Sequence, residues 1–96
     1  MGEYVRAVTF EADSDAIDSL LDEINSAEGP PEGVPATRIT VLGDRSSGKL
    51  IVATRFASEE DRRKGGETLE GMSPPGGSNI RRVAVDNYEV LLERQA

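Results

Sequence analysis

The stretch VLGDRSSGKLIV, Val41 to Val52, decides the fold. Gly43, four intervening residues, Gly48 and Lys49 nearly spell a nucleotide phosphate loop, which would require a strand before the loop and a helix after it. That motif also takes Ser or Thr after the lysine to hold Mg²⁺, and its helix meets the phosphate with its first N–H groups. Position 50 is Leu, and the residues that follow, LIVATRF, read as a strand. The stretch is therefore a β-hairpin connection, in which ATRITVL (Ala36–Leu42) and KLIVATRF (Lys49–Phe56) flank the turn GDRSSG. If odd positions pair with odd, Ile39 and Val41 share a face with Ile51 and Ala53.

Upstream of the hairpin, YVRAVTFE (Tyr4–Glu11) is rich in β-branched and aromatic residues and predicts a first strand. The period then changes. Ile17, Leu20, Leu21 and Ile24 fall at i, i+3, i+4 and i+7, one face of a helix. Asp13 or Ser14 caps its start, Asp15 and Asp18 suit the positive end of its dipole, and Gly29 with Pro30 and Pro31 stops it. Downstream, Ser58 and Asp61 resemble a capping box for a second helix. That helix carries Gly65 and Gly66 in its interior, on the stripe of Leu69 and Met72, at a cost of about 1 kcal/mol each relative to Ala. Glycine there serves either close approach to a sheet or a helix that yields to admit a ligand. SPPGGSN (Ser73–Asn79) is a loop, and IRRVAVDNYEVLLER (Ile80–Arg94) is the last strand. Its apolar phase slips: Val83 and Val85 are odd, whereas Tyr88, Val90 and Leu92 are even, so a bend or bulge is expected at Asp86 and Asn87, or a passage onto a partner subunit.

Strand, helix, strand, strand, helix, strand is the order of the ferredoxin-like split βαβ unit, an α+β fold with both helices on one face of a four-stranded antiparallel sheet. Residues 1–96 make a single such domain. A chain this short removes only roughly 60–65% of its unfolded surface from water. Its strands nevertheless carry apolar residues on both parities: Val5 and Val8, Ile39 and Leu42, Ile51 and Val52. A sheet with one solvated face alternates more cleanly, so something outside the chain should cover the second face.

The 18 acidic against 11 basic side chains give a net charge of −7, which opposes approach to nucleic acid or an anionic membrane. With no Cys and no His, disulfides, thiolate nucleophiles, imidazole bases and the usual zinc ligands are excluded. EEDRRK and DSDAID lack calcium-loop spacing, so no metal is expected. MGEYVRAVTF lacks a basic segment followed by an apolar run, and Arg6 stands where a myristoylation signal takes Ser or Thr; the expected address is cytoplasmic. Arg6, Arg38 and Arg55 fall inside strands, where a cation either meets a carboxylate, extends its stem to water, or binds a ligand anion. Arg62 to Lys64, Arg81 and Arg82 read as solvated faces, with Glu59 and Glu60 spaced for helix-surface ion pairs.

The element order over residues 4–93, the hairpin GDRSSGKL and the closing VAVDNYEV together resemble the dimeric α/β barrel superfamily, in particular small bacterial proteins related to antibiotic-biosynthesis monooxygenases. The resemblance implies a homodimer in which two subunits face their sheets together into a barrel, with a pocket between each sheet and its helices. It implies no resident cofactor. Three functions follow: a small-molecule binding or accessory protein, a cofactor-independent monooxygenase acting on an aromatic substrate, and a structural or regulatory interaction module. Whether the chain is an enzyme stays open, because the family's Trp and His are absent here. Arg6, Arg38, Asn87 and Tyr88 are the candidate ligand-binding residues for a small aromatic or anionic ligand, and Arg38, Asn87 and Tyr88 could donate to a substrate oxyanion.

Overall fold

Period-two and helical-period segments alternate along the chain as β1 (Tyr4–Ala12), α1 (Ser14–Ser26), β2 (Ala36–Asp44), β3 (Lys49–Phe56), α2 (Glu59–Glu70) and β4 (Ile80–Glu89). The structure is a computed structural model and describes residues 2–27, 29–71 and 80–95. The strands form one antiparallel sheet in the order β2-β3-β1-β4, the ferredoxin-like α+β arrangement. The expected loop Ser73–Asn79 and the place of Met72 lie outside the described residues. β4 ends at Glu89 rather than Arg94, and Val90 N–H donates to Glu3 C=O as the chain leaves the sheet. No helix among the described residues is long and apolar enough to cross a membrane.

The hairpin is built as a turn. Gly48 takes φ +70, a left-handed conformation that suits glycine, and its carbonyl accepts from Ala12 N–H at 2.9 Å. Asp44 Oδ1 accepts from Ser46 N–H and from its hydroxyl, which hold the Asp44 carboxyl below the usual range, with Ser47 adding to the effect. A carboxylate of the chain itself thus takes the Ser46 donors of the turn, and β3, not a helix, follows. Arg45 ties the turn to the start of α1, reaching Ser14 Oγ at 2.5 Å and Asp18 Oδ1 at 2.7 Å.

Asp44 pairs with Lys49, so odd numbers of β2 oppose even numbers of β3. Ile39 and Val41 therefore face Thr54 and Val52 on the helix side, not Ile51 and Ala53 as the odd-with-odd register would have it. The helix side of the sheet carries Val8, Phe10, Ala12, Leu50 and Ile80, onto which α1 packs Ala16, Ile17 and Leu20. Asp13 caps α1, its Oδ1 accepting from Ala16 N–H at 2.8 Å. At the other end of the sheet Phe56 is fully buried beneath α2, whose Ser58 cap accepts from Asp61 N–H at 3.1 Å. A Cβ at Gly65 would meet Cζ of Phe56 at 2.7 Å, with Cε1 closer still, so the glycine there serves close approach of the helix.

The irregularity of β4 is real but lies elsewhere than Asp86 and Asn87. Thr9 pairs with Ala84 and Phe10 with Arg82, which leaves Val83 as the extra residue of a bulge. From Ala84 to Glu89 the alternation is unbroken, with Val85 on the helix side and Tyr88 on the open side. The bulge is required because Ile80 and Val85 both point to the core although they stand five positions apart, which in a regular strand puts them on opposite faces.

Candidate ligand pocket

On the helix side of the sheet, lined by residues of both α1 and α2, lies a cavity of about 810 Å³. Its floor is formed by cross-strand neighbours on the helix side, Val8 beside Val52 and Arg6 beside Thr54, with Ile39 next to Thr54. Leu20 and Ile24 of α1 and Leu69 of α2 form the walls, and Gly29, Pro30 and Pro31 edge the mouth. Ile24 packs at the edge of the core and is half-buried, with part of its side chain lining this space. A pocket of this volume, mostly apolar with a few polar groups, falls within the range of about 300–1,000 Å³ typical of small-molecule sites.

The polar groups gather at Arg6. This side chain sits on the central strand, is 6% exposed, and lies beneath Gly66 of α2, where a Cβ would be 3.7 Å from its Cδ and Nε. Arg6 Nη2 donates to Glu70 Oε1 at 2.7 Å, and Arg82 Nη1 donates to the same oxygen at 2.8 Å. Together they hold the Glu70 carboxyl below its ordinary range, the Arg6 hydrogen bond contributing most. Thr54, buried beside Arg6, presents the second polar group of the floor.

The four candidate residues do not form one site. Arg6 is on the pocket floor. Arg38 borders the pocket at the irregular start of β2, yet its register partner is Arg55 and its charge is felt by Glu93, both toward the other side of the sheet. Asn87 lies next to Arg6 on the helix side but is exposed and outside the pocket wall. Tyr88 points to the open face, opposite Val5. Arg55 belongs there too: it grips Glu93 through Nη1 at 2.5 Å and Nη2 at 2.9 Å, and its Nε stands 3.0 Å from Glu3 Oε1, close enough for an ion pair but not aligned as a hydrogen bond.

Sequence reasoning missed Arg82, which reads as a surface cation beside Arg81. The two point to opposite faces: Arg81 pairs with Glu11 on the open side, and Arg82 is turned to the helix side by the bulge at Val83. The signal was present in the parity of Ile80 and Val85, which places the slip before Val85 rather than after it. Compared with known proteins, the chain matches no family model, no curated protein and no solved structure.

Proposed function

We propose that the chain is a small-molecule binding or accessory protein that works as a homodimer of the dimeric α/β barrel type. The observation that carries the binding reading is the apolar cavity between sheet and helices with the buried Arg6 on its floor. Support for the second copy comes from the other side of the sheet. There Leu42, Ile51, Thr9 and Ala84 form one row, Thr40, Ala53, Ala7 and Asp86 the next, and Leu42 and Tyr88 are 54% and 56% exposed in the single chain. A row of opposite charges, Asp44, Lys49, Glu11 and Arg81, closes one end of this face. An obligate interface of this kind typically buries more than about 2,000 Å² in total.

Native mass spectrometry of the purified protein tests both halves at once. The expected result is a species of about twice the 10.3 kDa chain mass that also carries a retained small molecule or takes one up from a compound mixture. A monomer at every concentration removes the barrel. A protein that holds nothing from a broad mixture removes the binding reading and leaves an interaction module. Oxygen uptake on addition of polycyclic phenols would replace it with a monooxygenase.

A further inference from the structure

The identity of the polar corner narrows the ligand class, on the premise that the pocket is a ligand site. A guanidinium offers five N–H donors and no acceptor, and a buried charge is costly unless it is paired. Among the described residues Arg6 donates a single hydrogen bond, to Glu70 Oε1, and that oxygen is shared with Arg82. Two cations on one carboxylate leave this corner with a surplus positive charge beside Val8, Val52 and Leu69. The bulge at Val83 is what brings the second cation there; a regular strand would turn Arg82 to the open face. Glu23, on the α1 wall, is the acidic group among the described lining residues.

We infer that the pocket takes a monocarboxylic acid with an apolar aromatic or aliphatic body, its carboxylate against Arg6 and its body between the sheet and the walls formed by Leu20, Ile24 and Leu69. The planar guanidinium fork matches a carboxylate in two parallel hydrogen bonds, and Thr54 adjoins it with a hydroxyl. Glu23 on the α1 wall repels a second anionic group, which selects a monoanion over a dianion. A neutral ligand of the same shape leaves the surplus charge unanswered.

Calorimetric titration of matched pairs tests this: 2-naphthoate against 2-naphthamide, and octanoate against octanamide. Wild-type protein should bind each acid at least about tenfold more tightly than its amide. Arg6→Met should lower the acids to the affinity of the amides and leave the amides unchanged. If Arg6→Met does not fold, Ile24→Trp supplies the control, since it fills the cavity from a half-buried wall and should remove binding of all four compounds. Equal affinity for acid and amide, both lost in Ile24→Trp, overturns the carboxylate inference and leaves the pocket as a ligand site. Acid binding that survives Ile24→Trp at full affinity also overturns it, because the acid then lies elsewhere. Silence of all four compounds overturns it too, and the mass-spectrometric experiment decides separately whether the pocket binds anything.

Discussion

Gly65 and Gly66 are neighbours in α2 with opposite tolerances. Alanine gains about 1 kcal/mol of helix propensity at either position. At Gly65 the new methyl would run into the Phe56 ring, buried and unable to retreat, whereas at Gly66 it would rest at 3.7 Å from the Arg6 stem. Gly65→Ala should therefore destabilise by about 1–3 kcal/mol in urea denaturation, and Gly66→Ala should be neutral or stabilise by up to about 1 kcal/mol. Equal effects of the two would remove the close-approach account of α2. The second residue to test is Glu70. Its carboxyl titrates lower in the fold than in the unfolded chain, so the stability it contributes is present above the ordinary glutamate range and lost as pH falls through the folded pKa. Glu93, held down by Arg55, and Asp44, held down by Ser46, act in the same direction. Glu70→Gln should accordingly flatten part of the acid-side decline in the urea midpoint below the ordinary glutamate range and leave the neutral-pH slope alone. A wild-type curve that falls no faster than that of the variant would remove Glu70 as a contributor. Of these residues, the sequence made the glycines legible, since two of them inside an amphipathic helix demand a reason; it left Glu70 as one surface acid among many, because its partners come from β1 and β4.

At the scale of elements, α1 and the hairpin could be read directly. The spacing of Ile17, Leu20, Leu21 and Ile24 is local information, and so is Leu50 in place of a metal-binding hydroxyl. Register was less legible. Pairing of Asp44 with Lys49 makes every odd residue of β2 oppose an even one of β3, a parity set by turn length that residue type does not reveal. The bulge in β4 shows the same limit, for Tyr88 on the open face and Val85 on the covered face mimic a phase slip at Asp86 and Asn87 when both faces are apolar. Deleting Val83 tests the bulge. The shortened strand alternates regularly, with Ile80, Arg82 and Val85 all still toward the helices, so stability should stay within about 1 kcal/mol of wild type. Val83→Thr, at an exposed site, should stay within about 0.5 kcal/mol of wild type. A deletion that costs about 2–3 kcal/mol, the value of one buried aliphatic side chain, would mean that Val83 is not the extra residue.

For the whole molecule, apolar residues on both parities of each strand are legible in the sequence, and the helices cover one of the two faces. The cavity had no such signature, because its lining comes from residues far apart in the chain, from Arg6 to Arg82, rather than from any one segment. The open face makes its own prediction. Leu42 is exposed in the single chain, so Leu42→Glu should leave the fold and its circular dichroism intact. In the proposed dimer the same change buries a charge against apolar neighbours, and sedimentation should show the mass dropping from twice 10.3 kDa to 10.3 kDa. A mass unmoved by Leu42→Glu would place the contact between copies on another surface.

The strand order β2-β3-β1-β4 also sets a schedule. β2 and β3 are joined by a short turn and can zip together within microseconds, as hairpins do. β1, the central strand, has both partners later in the chain, and each pairing must close a long loop, the slow kind of contact. On a ribosome β1 emerges first and waits, its apolar residues and Arg6 unpaired, until β3 arrives; β4 brings Arg82 to Glu70 last. The pocket floor is thus half finished for most of synthesis, and its second cation is the final piece delivered.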